Sequence, residues 1–97
     1  MGIDFLDCCV RIEKEFHLPR NALDSRKLDV RRTKGGTLIG ATAGDVALWV
    51  EACIIADGRE APPDLWHRVQ ACIAATVYES TERVTPMTRI IEDLGFS

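Results

Sequence analysis

Residues 3–16 read Ile-Asp-Phe-Leu-Asp-Cys-Cys-Val-Arg-Ile-Glu-Lys-Glu-Phe. Phe5, Cys8, Cys9, Ile12 and Phe16 recur at the i, i+3, i+4, i+7 spacing of a helix with one buried stripe. Ile3, Leu6 and Val10 form a second row beside it, flanked by Asp7, Glu13 and Lys14. The pattern predicts a helix from Asp4 to His17. Asp4 is its expected N-cap, and Asp7 sits near the positive end of the helix dipole. Pro19 marks the stop, because the residue before a proline is pushed out of the α region.

Two further helices follow from the same reasoning. Thr42 is a natural N-cap with Asp45 three residues on, close to a capping box. Val46, Trp49, Val50 and Cys53 then keep one apolar face as far as Ile55. Asp57-Gly58 ends that helix, and Ala61-Pro62-Pro63 is a stiff connector. The next helix is expected from Asp64 to Glu79, with Leu65, Val69, Cys72, Ile73 and Val77 facing inward and Trp66 partly exposed. Residues 80–97 read as an extended segment anchored by Val84, Ile90, Ile91, Leu94 and Phe96. Residues 19–41 carry the least pattern: a short helix around Asn21–Leu28, then Gly35-Gly36 and a Thr-Leu-Ile stretch. Three amphipathic helices and a minor one make an all-α bundle.

At 97 residues the chain fits a single domain, and 46% hydrophobic with 28% charged residues is an ordinary globular composition. No apolar run approaches the roughly 18–20 residues that span a bilayer, and the first residues lack the basic and apolar regions of a signal peptide. The expected location is the cytoplasm. The four cysteines, Cys8, Cys9, Cys53 and Cys72, fall on apolar stripes, as buried thiols do in a reducing compartment. No His or Cys stands at zinc-ligand spacing from them. Net charge is −3, but Arg20, Arg26, Lys27, Arg31, Arg32 and Lys34 crowd one stretch against only Asp24 and Asp29. With no interleaved aromatics, that run reads as a solvated loop rather than a nucleic-acid contact.

Nothing points to catalysis. His17 and His67 stand on different helices without an evident acid partner. No Gly-x-Ser-x-Gly, phosphate loop or paired-histidine pattern is present. No catalytic or metal-binding residue is assigned, and the protein is not expected to be an enzyme.

The two ends of the chain belong together as text. Asp93-Leu94-Gly95-Phe96-Ser97 followed by Gly2-Ile3-Asp4-Phe5-Leu6-Asp7 resembles the acyl carrier protein motif D-L-G-x-D-S-L-D, which leads into an acidic helix ending in E-x-E-F. Val84-Thr85-Pro86-Met87-Thr88-Arg89-Ile90-Ile91-Glu92-Asp93-Leu94-Gly95 is similar to the family's V-x-P-D-T-x-L-I-E-D-L-G loop, with Met87 replacing the usual acid. Ala41-Thr42-Ala43-Gly44-Asp45-Val46 is similar to its T-V-G-D-V-V, which opens the last helix. The match covers most of the chain, but only after reordering.

The resemblance implies a circularly permuted carrier fold: one domain, residues 1–97, built as a four-helix bundle. Family helices 2–4 would come first (1–56), then a connector (57–63), then family helix 1 and its long loop (64–97). From Ala56 to Pro63 an extended chain reaches about 25 Å, ample for the roughly 10 Å between packed helices. In the family a serine at the start of the second helix carries 4′-phosphopantetheine, and the helix N-terminus favours its phosphate. In strict alignment Gly2 takes the serine's place and Asp4 that of the following aspartate. Ser97, one residue away, is the nearest hydroxyl and the candidate attachment point.

The expected function is therefore that of an acyl-carrier-like protein presenting Ile3, Leu6, Asp7, Val10 and Glu13 to an acyl- or peptidyl-processing enzyme with a basic patch.

 A phosphopantetheinyl transferase would be a second partner if Ser97 is modified. The chain is expected to be a monomer with no membrane partner. The alternative is a carrier-fold interaction module that has lost the attachment serine, with Gly2 at that place, and carries no prosthetic group. A weaker alternative is a nucleic-acid-associated protein using residues 26–34. Phe16 and Trp49 are the large side chains on which the predicted core rests. Phe16→Ala is expected to cost about 3–5 kcal/mol in urea unfolding, a large share of the stability of a domain this size.

Overall fold

Helix α1 spans Ile3–Glu15, α2 spans Ala43–Ala56 and α3 spans Leu65–Val77, with a 3-10 turn at Thr81–Arg83. The computed structural model describes residues 3–19, 23 and 41–96, apart from the side chains of Ile3 and Phe5. Helix α3 packs against both α1 and α2, and the 3-10 turn packs against α3 in its turn. The α1–α3 pair is antiparallel: Arg68 bonds Glu15 near one end, while Thr76 meets Cys8 towards the other. The radius of gyration, 12.3 Å, is what a compact chain of this length gives.

The predicted stripes form one core. Ile12, Val50, Val69, Ile73, Val84 and Ile90 are its most completely buried side chains. Phe16, Trp49, Leu65, Cys72 and Phe96 join the same cluster, with Cys53, Trp66, Val77, Ile91 and Leu94 partly buried against it. Leu65, Val69, Cys72 and Ile73 thus share a core with Cys8, Ile12 and Phe16, as the spacing predicts.

Helix boundaries differ from expectation where backbone capping overrides side-chain pattern. Helix α1 begins at Ile3, so Asp4 lies inside the first turn rather than capping it. It also stops at Glu15, before His17. His17 adopts a left-handed φ of 53°, and the Leu18 amide reaches back to the Glu13 carbonyl at 2.8 Å. The other two helices end in the same way. Gly58 and Tyr78 have φ of 82° and 56°, and the amides of Arg59 and Glu79 reach Ile54 and Ala74. These are Schellman caps, and two of the three use a residue other than glycine.

Helix α2 is closed at its start by the far end of the chain. The Thr42 hydroxyl accepts from the Asp45 amide and the Asp45 carboxylate accepts from the Thr42 amide, a reciprocal capping box. The next two free amides, of Ala43 and Gly44, donate to the carbonyls of Thr88 and Pro86 at 2.8 and 2.9 Å. The Ile90 amide donates to the Ala41 carbonyl, and Thr42 and Arg89 form an isolated antiparallel bridge. Segment 84–96 is therefore a series of turns pinned at both ends rather than an extended arm. Within it the Asp93 carboxylate accepts from the Arg89 amide and guanidinium. Those bonds hold its pKa below the usual carboxylate value.

Among the described residues there are three α-helices and no strand, so the fold they form is small and helical. The minor helix expected around Asn21–Leu28 and the Thr-Leu-Ile stretch lie outside the described residues, except for Leu23. No described helix is long and apolar enough to cross a membrane.

Gly44 is where the clasp between segment 84–96 and α2 is tightest. A Cβ added there would stand 2.8 Å from the Pro86 carbonyl oxygen, a backbone atom that cannot swing aside. Gly44→Ala is expected to destabilise the protein by about 1–3 kcal/mol, read as a lowered urea midpoint. Gly58→Ala serves as the control, because its added Cβ meets nothing within 4 Å and only the left-handed backbone opposes it.

Candidate partner-binding surface

The outer row of α1 stands clear of the core. Leu6 is 59% and Val10 45% exposed, one turn apart, while Cys8, Cys9 and Ile12 on the same helix are buried. Asp7 lies between them and pairs with Arg11 at 3.3 Å across one turn of helix. Arg11 thereby offsets much of the negative charge expected on this rim. Asp4 is half-buried in the first turn. Ile3 belongs to the helix, but its side chain is not among those described.

Glu13 is not where the sequence reading puts it. The expectation is a rim acid beside Val10; instead the side chain is buried, and its carboxylate accepts from the Leu23 amide at 3.1 Å. The cause is angular. Glu13 follows Cys9 by four residues and precedes Phe16 by three, so it falls on the buried stripe. Its task is to tie the chain beyond Pro19 back onto α1, and it is not available to a partner.

Gly2 and Ser97, the residues on which the prosthetic-group expectation rests, lie outside the described residues, as does the basic stretch 26–34. The residue before Ser97 is well anchored: Phe96 is buried, and its amide donates to the Ile90 carbonyl at 3.1 Å. Gly95 makes that turn possible with a φ of 73°.

The start of α2 offers no place for an anion, since its leading amides already meet Thr88, Pro86 and Thr42. Beside it runs an open groove of about 710 Å³, lined by Leu48, Pro62, Pro63, Trp66 and Pro86, with Asp45 and Glu51 at its edge. Spacing on α2 holds the signal for this surface, because Leu48 and Ile55 lie off the buried stripe. Reading α2 for one apolar face passes over it.

Of the two histidines, His17 closes α1 and both are exposed. Arg68 stacks 4.6 Å above the Phe16 ring and donates to the Glu15 carboxylate and carbonyl at 2.8 Å each. That cation joins α3 to the end of α1 and leaves little of its donor set for a ligand. Among the described residues no three His, Cys, Asp or Glu side chains gather as metal ligands do.

None of the four cysteines is in a disulfide; Cys8, Cys9 and Cys72 are buried and Cys53 partly so. Burial pushes the Cys8 and Cys9 thiols up to about 12 and Cys72 to about 11. The thiolate is the reactive form, so at neutral pH these three are packing groups. In the native protein a thiol reagent is expected to reach Cys53 first and the other three only on unfolding. The unfolded chain releases these protons near pH 9.0, before the folded chain does. Stability should hold below that pH and fall as pH rises above it, which urea midpoints between neutral and alkaline pH will show.

No family model, no curated protein and no solved structure matches this chain.

Proposed function

We propose that the protein is an acyl-carrier-like protein in permuted helix order that meets partner enzymes through the outer row of α1. The observation that carries this reading is the exposed pair Leu6 and Val10 on the helix that resembles the family's recognition helix. An apolar centre supplies most of the contact energy in such a surface, and charges at its rim tune encounter and choice of partner. The expected partner is an acyl- or peptidyl-processing enzyme whose patch suits Leu6, Val10 and Asp7. Because Arg11 pairs with Asp7, that patch need be less basic than the ones that conventional acidic carriers meet.

One feature of the fold supports the carrier reading beyond α1. The residues that resemble the family's loop and last-helix opening, around Pro86 and Gly44, touch one another at the clasp. Their joint presence in the sequence then has a packing reason. The reading also implies a cytoplasmic monomer without an enzymatic activity of its own.

Whether the chain carries 4′-phosphopantetheine turns on one hydroxyl. Gly2 has no side chain to bear a phosphodiester, and Ser97 is the serine the resemblance places beside it. Bound there, the group would supply a thiol for thioester chemistry. Incubation with coenzyme A and a broad-specificity phosphopantetheinyl transferase, followed by intact mass, decides the point. A gain of one arm that is lost in Ser97→Ala establishes a carrier. No gain leaves the carrier-fold interaction module, whose α1 surface is then tested by partner capture with Leu6→Glu and Val10→Glu as the variants that should abolish it.

A further inference from the structure

Helix α2 breaks the pattern its position implies. Val46, Trp49, Val50 and Ile54 are buried, and a helix that packs on one side ordinarily turns polar residues to the other. Here the other side carries Leu48 and Ile55, each 59% exposed, with Ala52 exposed between them. The three stand at i, i+4 and i+7, a row about 10 Å long. It runs into the groove whose walls are Pro62, Pro63, Trp66 and Pro86. Those walls are preformed: the prolines restrict the connector backbone, and the Pro86 carbonyl is held by the Gly44 amide.

Charge narrows what can lie there. Asp45 and Glu51 are the only ionisable residues along the groove, and no Lys, Arg or His lines it among the described residues. Between Asp45 and Asp57 the sequence of α2 holds no charge except Glu51. A second copy would bring acid to acid, since a twofold contact sets the same patch against itself and each chain already carries a net −3.

We propose that the outer face of α2 and its groove dock an amphipathic helical segment of a partner protein, with Lys or Arg beside its apolar stripe. The row from Leu48 to Ile55 suits the i, i+3, i+4, i+7 anchors of a helix laid in a groove. A cation on the incoming helix meets Glu51, and an acidic helix is turned away. This surface is separate from the outer row of α1, and the proposal stands whether or not the protein is a carrier.

The test is titration of the isotope-labelled full chain with a helical peptide of about 18 residues, made of Leu and Lys in amphipathic order, long enough to cover the row. A peptide of the same order with Glu for Lys is the comparison. Saturable shifts at Leu48, Ala52, Ile55 and Trp66 are expected with the basic peptide. Affinity should be about tenfold weaker for the acidic one, a difference of about 1.4 kcal/mol. The double variant Leu48→Lys/Ile55→Lys should lose binding while keeping a folded spectrum, because both side chains are exposed, and Glu51→Gln should weaken it several-fold. Absence of saturable shifts, equal affinity for the two peptides, or shifts confined to Leu6 and Val10 on α1 would overturn the proposal. So would a dimer in sedimentation that Leu48→Lys abolishes, which would give this face to a second copy of the chain.

Discussion

The structure depends on a clasp between the start of α2 and segment 84–96. Carbonyls of Pro86 and Thr88 take the leading amides of α2, and the Ile90 amide returns a bond to Ala41. Buried backbone donors must find partners, and a helix start leaves several without one. Satisfying them from segment 84–96 fixes α2 and the turns together in one step. Val84, Ile90 and Phe96 then enter the same core as Trp49 and Val50. Remove the close approach at Gly44 and both the cap and the anchoring of that segment loosen.

Around this clasp α3 acts as the common wall. It meets α1 through Val69, Cys72 and Ile73 and, at the rim, through Arg68 on Glu15 and over Phe16. The exposed end of that contact is an ion pair of modest worth, so apolar burial decides the packing. The same burial keeps three thiols protonated and gives them the role of small hydrophobes. Among the described residues, exposed apolar side chains line up along a helix in Leu6 with Val10 and in Leu48 with Ile55. Single exposed apolar residues are ordinary, whereas rows of them on a helix mark where something docks.

Helix pattern, core membership and the N-cap of α2 were legible in the amino-acid order. The stripes of α1, α2 and α3 follow a 3.6-residue period, and Thr42 with Asp45 announces the start of α2 before any coordinates. Glu13 shows the limit of reading by residue type. A glutamate suggests solvent, yet its angular position between Cys9 and Phe16 sends it inward, where the Leu23 amide meets it. The left-handed turns at His17 and Tyr78 carried no such mark, because neither is the glycine that usually announces one.

The sequence by itself determined that three segments become helices with apolar faces, since periodicity and capping are local properties. Tertiary structure alone decided which surfaces those helices leave uncovered. It also decided that the turns of 84–96 cap α2 and that Glu13 meets the Leu23 amide. Each of these depends on which backbone groups and side chains meet across long stretches of chain, and no local pattern encodes that meeting.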